Sequence, residues 1–434
     1  MSELRIILDK SVVFGLTNPE VDSLDRYFLQ IVPHILTNEI IADLTKASKD
    51  TAIKNKISQH SYRISGNRVI PANYRDLLAN SLMGNEPPMD GRYIPAGLRT
   101  VRGADGSIGS TIETRLEDDT IARWERREFT KQETASAEAW RKRIEAPIYP
   151  KGYLDNIAKA GLEFKPPRND EELVATVDSI LNERTFQPRI FPLIARAFRI
   201  PEKGQEININ RWFKEGRPMF KDFAPYAFFC LRANMLLALG LTNSNIFTPD
   251  KNDRKDLEYC YYLPHCEIFS SNDRKHKRLM RFLLREDQSF VKGDDLKDDL
   301  RRLARMWDGL SREEKIQLRD ERGGAPPEDA NSILYRLWKK HRSNVPKPFN
   351  REILKAMVVD SSKPKEEQVP IPLEEMLHQI IDKTKPATEL SFEESVKVED
   401  TAFAVRTTRI RKDRILKFYP HLTEADLDKR PDSE

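Results

Sequence analysis

The chain has 434 residues, and its 73 basic and 69 acidic side chains leave a formal net charge of only +4. This length suits two or three ordinary domains, or one domain with long additions. So small a net charge does not by itself indicate a polyanion partner, and a phosphate-binding surface would have to come from local clusters of Lys and Arg.

The cysteines and the apolar runs exclude several classes of protein. The three cysteines, Cys230, Cys260 and Cys266, match no metal-ligand spacing, which argues against a disulfide framework and a zinc site. The N-terminus lacks the pattern of a signal peptide, and no apolar run reaches the roughly 18 residues of a membrane span. We therefore expect a cytoplasmic protein with no membrane contact.

The first fifty residues predict alternating strands and helices. The apolar run Leu4–Leu8 reads as a buried strand of a parallel sheet, with Asp9 at its carboxyl end. A second run, Ile31–Leu36, precedes Asn38, which is expected to cap a helix that begins at Glu39. This order indicates an α/β layer architecture.

Residues 48–170 interrupt that pattern and are interpreted as an insertion of helices and loops. Helices are predicted near Tyr74–Leu82 and, with mixed charges, at Leu116–Ile144. The second helix is expected to be solvated, with packing across a neighbouring surface as the alternative. The glycine-rich stretch Gly103–Gly109 is interpreted as a flexible loop.

The α/β pattern resumes near residue 171 and continues to residue 294. Helix Pro225–Gly240 is apolar nearly all round, so we expect it in the core. A short strand then ends at Asp273 and leads into a basic amphipathic helix, Arg274–Arg285, and Phe290 and Val291 indicate one more edge strand.

The rest of the chain is predicted to be helical and then irregular. Residues 295–357 carry apolar side chains at helical spacing, and Ser311 and Glu314 have the spacing of a capping box. Residues 358–434 are rich in Pro, Lys and Glu, which predicts a linker and a poorly ordered tail.

Four carboxylates are expected to meet at one edge of the sheet. Asp9 and Asp273 follow strands, and functional groups of open α/β sheets gather beyond the carboxyl ends of strands. Glu39 and Asp256 are placed near helix starts beside them, and Asp253 is a rival for the role of Asp256. Such a cluster needs cations to offset its repulsion, and hard carboxylate oxygens suit Mg2+ or Mn2+. The predicted chemistry is metal-dependent phosphodiester hydrolysis.

The order of these acidic residues resembles that of the PIN-domain nuclease family. The resemblance covers roughly residues 1–46 and 225–292, and its pieces are Ile6-Ile-Leu-Asp9, Leu36-Thr-Asn-Glu39-Ile-Ile-Ala-Asp-Leu44, Asp256-Leu-Glu-Tyr-Cys-Tyr-Tyr-Leu and Ile268-Phe-Ser-Ser-Asn-Asp273. It implies a three-layer α/β/α Rossmann-like domain with a parallel sheet, formed by residues 1–47 and 171–294. It also implies a divalent metal site and, most often, single-stranded RNA as the substrate.

Each carboxylate also has a purely structural interpretation. Asp9 and Asp273 would also suit turns, and Glu39 would suit the first turn of a helix, where the dipole favours an acid. The basic helix after Asp273 is nearly as well explained as a solvated face, and His276 within it is a candidate for assisting proton transfer. The candidate nucleic-acid contacts are Lys10, Lys46, Arg274, Lys275, Lys277 and Arg278.

Two functions are favoured, with an unrelated α/β enzyme as the remaining alternative. The first is an active nuclease, with RNA favoured over DNA. The second is a PIN-like scaffold that binds nucleic acid, or a protein partner through the insertion or the C-terminal helices, without cutting. A P-loop ATPase is disfavoured because the chain lacks the required glycine and lysine motif.

Overall fold

The computed structural model describes residues 3–46, 51–102, 108–112, 116–144, 158, 165–322, 325–342, 388–389 and 403–406. Within these ranges the strands are β1 (Leu4–Leu8), β2 (Phe28–Ile31), β3 (Arg68–Val69), β4 (Leu98–Arg102), β5 (Ile108–Ile112), β6 (Ile268–Ser271), β7 (Ser289–Lys292), β8 (Thr388–Glu389) and β9 (Phe403–Arg406).

The helices lie between these strands and after them. They are α1 (Lys10–Gly15), α2 (Asn18–Tyr27), α3 (His34–Ile41), α4 (Thr51–Arg63), α5 (Tyr74–Met83), α6 (Leu116–Glu125), α7 (Lys131–Ile144), α8 (Asp170–Asn182), α9 (Gln187–Phe198), α10 (Glu202–Lys214), α11 (Phe220–Phe223), α12 (Pro225–Gly240), α13 (Asp253–Cys260), α14 (Arg274–Leu283), α15 (Gly293–Asp308), α16 (Arg312–Arg322) and α17 (Ile333–His341).

Five strands form one parallel sheet in the order β3-β2-β1-β6-β7. The central strand β1 is rich in Ile and Leu and pairs with β2 on one side and β6 on the other, with Ile6 opposite Ile268. The chain first adds strands on one side of β1 and then on the other, so the strand order reverses between β1 and β6. In open α/β sheets the crevice at such a reversal is where ligands bind.

Helices pack around this sheet in a manner consistent with a three-layer α/β/α fold. Helices α1 and α2 contact α15, whereas α12 contacts α5, α8 and α14. The expected core helix is confirmed in α12, which begins at Pro225 and is buried along most of its length. Because its apolar side chains lie on all sides, burial against several helices is the stable arrangement.

The predicted strand at Leu4–Leu8 is confirmed, but the next boundary is wrong. Strand β2 ends at Ile31, and helix α3 already begins at His34, with Pro33 before it as the N-cap residue. Asn38 therefore lies inside the helix and does not cap it. The apolar run misled because β2 and the first turn of α3 are both buried, so periodicity did not separate them.

The predicted insertion contributes to the main sheet. Strand β3 lies within residues 48–170 and pairs in parallel with β2, with Gln30 opposite Arg68. The predicted helix at Tyr74–Leu82 is confirmed as α5, whereas the single helix expected at Leu116–Ile144 is two helices, α6 and α7, and Arg127 between them has a positive φ of 66°.

A second sheet links this middle region to the C-terminal part of the chain. Its order is β8-β4-β5-β9, with β4 and β5 antiparallel. Strand β4 therefore precedes the glycine-rich stretch that was interpreted as a flexible loop, and Gly109 belongs to β5. Strands β8 and β9 fall in the predicted tail, whose other residues lie outside the described part.

The remaining helices agree with the sequence prediction. Strand β7 is the expected edge strand, and the capping box is present before α16, where Ser311 and Glu314 exchange hydrogen bonds of 2.7 and 3.1 Å. No helix in the described ranges is both long and apolar enough to cross a bilayer.

Candidate functional site

Asp9 lies directly after β1, at the reversal of strand order. Its backbone N–H donates to the Ser270 carbonyl at 3.1 Å, which extends the pairing of β1 with β6 by one residue. Its Oδ1 caps α1 by accepting from Val12 N at 3.0 Å and from Ser11 Oγ at 2.7 Å. Its Oδ2 accepts a short hydrogen bond from Ser271 Oγ. Asp9 therefore has the structural role that was expected as an alternative, because Oδ1 caps α1, while Oδ2 faces β6.

His276 joins Asp9 to Asp256. The imidazole lies in the first turn of α14, with Nδ1 3.6 Å from Asp9 Oδ2 and 3.0 Å from Ser271 Oγ. Nε2 lies 3.7 Å from Asp256 Oδ1 and 3.2 Å from the Asp256 carbonyl oxygen. The side chain of His276 is only 2% exposed. One buried ring therefore lies between two carboxylates.

The charges of this group are coupled. Burial alone would lower the pKa of His276, but the carboxylates of Asp256, Asp9 and Asp273 outweigh it and raise the pKa to about 9. Burial would likewise raise the pKa of Asp9, but hydrogen bonds from His276 and Ser271 and the charge of His276 hold it below its usual value. At neutral pH, Asp9 and His276 form an ion pair.

Among the described residues, Asp256 has the fewest ion-pair and hydrogen-bond partners of the four carboxylates. Burial raises its pKa to about 6, the charge of His276 opposes this, and Asp273 and Glu39 add to it. Among the described residues its carboxylate has an ion-pair contact with His276 but accepts no hydrogen bond. A buried carboxylate beside two others is the kind of group whose pKa is perturbed at functional sites.

Glu39 lies near Asp256 but not at the head of a helix. It is the sixth of the eight residues of α3, so the interpretation as a first-turn acid is wrong. Its Oε2 accepts from the Tyr259 hydroxyl at 2.8 Å, and its Oε1 lies 3.7 Å from Lys255 Nζ. Glu39 therefore faces α13, the helix that carries Asp256.

Asp273 caps α14 and remains exposed. Its Oδ1 accepts from the backbone N–H groups of Lys275 at 2.6 Å and His276 at 3.1 Å. Its charge still reaches the other acidic groups, because it contributes to the pKa values of Asp256 and His276. Asp273 therefore has a structural role as a helix cap and also lies close enough to Asp256 and His276 to affect their pKa values.

Asp253, the rival of Asp256, has structural partners instead. Its carboxylate forms a close ion pair with Lys275 and accepts from Asp250 N at 2.8 Å. It is 1% exposed. The geometry favours Asp256 as the residue that faces Asp9.

Half of the proposed nucleic-acid contacts are engaged within the protein. Lys10 Nζ donates to the Glu39 carbonyl at 2.7 Å, Lys275 pairs with Asp253, and Arg278 pairs with Asp170. Two others, Arg274 and Lys277, are exposed at the start of α14. The side chain of Lys46 lies outside the described residues.

The protein's own cations offset much of the acidic charge. His276 lies between two carboxylates and Lys255 is near a third. In the described ranges, no group of three or more His, Cys, Asp and Glu side chains could hold a metal ion as the side chains lie. Carboxylate oxygens are nevertheless the ligands Mg2+ prefers, and it commonly binds through one or two carboxylates while keeping several waters. As the side chains lie, the imidazole of His276 stands between Asp9 and Asp256, so the two carboxylates do not share an open ligand position.

Comparison with known proteins gives no relative: no family model matches the chain, and neither does any curated protein or solved structure. The site therefore has to be interpreted from its own geometry.

Three residues of this site have roles that the sequence did not predict. His276 was a candidate for assisting proton transfer and not for an ion pair, and Ser271 and Tyr259 were not assigned to the site. Their spacing carried a signal: Tyr259 follows Asp256 by one helical turn, and Ser271 ends the strand whose first neighbour is β1. Helical residues three apart share a face.

Proposed function

We propose that this chain is a PIN-like, metal-dependent nuclease that hydrolyses phosphodiester bonds of single-stranded RNA at the carboxyl ends of β1 and β6. One observation carries the proposal: Asp9 and Asp256, from opposite ends of the described α/β region, face the same buried imidazole where the strand order reverses. Glu39 and Asp273 lie beside them, in the order that resembles the PIN family.

The chain's own residues hold Asp9 ready as a carboxylate. Ser271 and Ser11 orient the Asp9 carboxylate by hydrogen bonds, and His276 keeps it ionised. The proposal requires the His276 side chain to leave the space between Asp9 and Asp256. A Mg2+ or Mn2+ ion held by Asp9, Asp256, Glu39 and Asp273 would then supply an activated water and offset the charge on the phosphate. Arg274 and Lys277 are exposed beside Asp273 and suit contacts with the phosphate backbone.

The alternative function is a PIN-like scaffold that binds nucleic acid or a partner protein without cutting. The internal ion pairs favour it, since His276 and Lys255 already offset the carboxylates that a metal would need. In that case binding of RNA would weaken with salt and would not depend on Asp9 or Asp256.

The test compares the wild-type protein with Asp9→Asn and, as a matched control, with Asp287→Asn, which removes an exposed carboxylate paired with Arg285. Labelled single-stranded RNA, single-stranded DNA and duplex RNA are incubated with Mg2+ or Mn2+. We expect single-stranded RNA to be cut, the control to match the wild type, and Asp9→Asn to be slower by about 100-fold or more.

Calorimetry with Mn2+ gives a second readout that needs no substrate. We expect the wild type and Asp287→Asn to bind Mn2+, and Asp9→Asn and Asp256→Asn to lose the binding. Equal cleavage by wild type and Asp9→Asn would remove the proposed site. Absence of both cleavage and Mn2+ binding, with RNA binding retained, would establish the scaffold function.

A further inference from the structure

A second polar site lies on the other side of α13. A pocket of about 260 Å³, partly open to solvent, is bordered by α5, α7, α9, α12 and α13. Five arginines line it: Arg254 is half-buried, and the other four, Arg75, Arg143, Arg196 and Arg199, are exposed. Asp256 and Tyr259 of α13 face the carboxylate site, whereas Arg254 and Glu258 line this pocket. The two sites thus share one helix.

Positively charged side chains outnumber negatively charged ones in the lining of this pocket. Among the described residues, Glu258 is the one carboxylate that lines it. Arg143, Arg75 and Arg254 act electrostatically on Glu258. Within the described part of the chain, the exposed Arg199 and the half-buried Arg254 have no hydrogen bond or ion pair, and Arg254 Nε is buried without any partner. Burying a guanidinium donor without an acceptor is costly, so an anion that accepts from Arg254 would stabilise it, and Arg199 is open to the same anion.

The backbone also holds one of these arginines in an unusual conformation. Arg199 ends α9 with φ 55° and ψ 48°, in the left-handed region that residues other than glycine rarely adopt. This conformation stands at the point where the chain leaves α9 and enters the pocket lining. Strained backbone conformations are found preferentially at binding sites.

The rest of the lining suits a flat, apolar group. Leu193, Phe198 and Leu257 supply aliphatic and aromatic surface. The rings of Tyr74 and Tyr261 stand 4.8 Å apart at an angle of 39°. Tyr74 and Tyr261 are themselves buried, so the partly exposed ring of Phe198 is the aromatic surface that a planar base could pack on.

We propose that this pocket binds a nucleoside monophosphate group, with the phosphate on Arg199 and Arg254 and the base against Phe198. Guanidinium groups match phosphate in geometry and bind it bidentately. The volume of about 260 Å³ lies just below the range of roughly 300–1,000 Å³ found for drug-sized ligands, which suits a ligand the size of one nucleotide. The ligand is either a free nucleotide or the phosphorylated end of a strand. The proposal does not rest on the nuclease function.

The binding test uses the full chain and titration calorimetry with AMP, inorganic phosphate and adenosine. AMP is expected to bind more tightly than either phosphate or adenosine alone. Arg199→Gln and Arg254→Gln should each weaken AMP binding by about tenfold or more, because each removes a charge-assisted contact. The control Arg305→Gln, on the exposed face of α15, should bind AMP like the wild type. Thermal unfolding of each variant establishes that it is folded.

A variant of opposite sign guards against general loss of structure. Glu258→Gln removes the negative charge of the lining, and AMP should bind it several-fold more tightly than the wild type. Asp9→Asn should leave AMP binding unchanged, so failure of this site and failure of the nuclease site are distinguishable.

The source of the ligand is decided by two trinucleotides, one with a 5′-phosphate and one with a 5′-hydroxyl. Binding of the phosphorylated trinucleotide as tightly as AMP identifies a strand end, and binding of AMP alone identifies a free nucleotide. The proposal is overturned if AMP binds the wild type no more tightly than about 1 mM, or if Arg199→Gln, Arg254→Gln and Arg305→Gln all bind AMP equally.

Discussion

The parallel sheet has an amino edge, where its strands begin, and a carboxyl edge, where they end. A buried carboxylate has opposite kinds of surroundings at these two edges. At the amino edge, Glu267 precedes β6 and lies between Arg5 and Arg342, with Nη–Oε distances of 2.9 and 2.5 Å. The backbone N–H of Arg5 donates to the same carboxylate at 2.9 Å. At the carboxyl edge, the Asp256 carboxylate has, within the described ranges, only its ion pair with His276, which it shares with Asp9.

The pKa values express the same difference. Burial would raise the pKa of Glu267, but hydrogen bonds from Arg342 and Arg5 lower it to about 2. The pKa of Asp256 is instead raised to about 6, chiefly by burial. The ionised carboxylate of Glu267 at the amino edge therefore stabilises the fold, whereas the ionised carboxylate of Asp256 at the carboxyl edge costs stability. Functional sites are commonly found where such a cost is retained.

The largest effect is expected from removing the cation of the carboxyl edge. His276→Ala leaves Asp9 and Asp256 buried without their shared partner and should lower the free energy of unfolding by about 3–5 kcal/mol. Denaturant unfolding followed by circular dichroism measures this. Lys277→Ala, the exposed neighbour, should change stability by less than about 0.5 kcal/mol. A loss below about 1 kcal/mol for His276→Ala would contradict the ion-pair interpretation.

A smaller and pH-dependent effect is expected at the amino edge. Because the folded pKa of Glu267 lies below its ordinary value of 4.5, its stabilisation is present above pH 4.5 and disappears as the pH falls towards about 2. Glu267→Gln should therefore lose about 2 kcal/mol at pH 7 and approach the wild type near pH 2. Unfolding free energies across this range test it, with the exposed Glu286→Gln as the control. A difference that does not depend on pH would show that the ionised carboxylate is not what stabilises this edge.

The two edges also differ in how much of their structure could be predicted from the sequence. Asp9 and Asp273 were correctly placed after strands, because a buried apolar run followed by Asp is a local signal. The ion pairs of Glu267 could not be predicted, because its partners Arg5 and Arg342 are far away along the chain and no local pattern joins them.

The strand β3 and the position of Glu39 could not be predicted for related reasons. Strand β3 has only two residues and is defined by its pairing with β2, which is a tertiary contact. Glu39 was assigned to a helix start because Asn38 is a good capping residue, but Pro33 starts the helix earlier. The ion pair of His276 with Asp256 could not be predicted either, because it depends on the packing of α13 against α14.

The smallest expected effect has the opposite sign. Because the folded pKa of Asp256 is raised above its ordinary value of 3.8, its ionisation costs stability as the pH rises from about 4 to 6, and the full cost is present above that range. Asp256→Asn should therefore gain about 1 kcal/mol at pH 8 in the absence of divalent cations, with no gain near pH 4. The matched control is Asp253→Asn on the same helix, which should lose stability because it removes the partner of Lys275. If both variants lost stability equally, Asp256 would be a structural carboxylate like Glu267, and the difference between the two edges of the sheet would disappear.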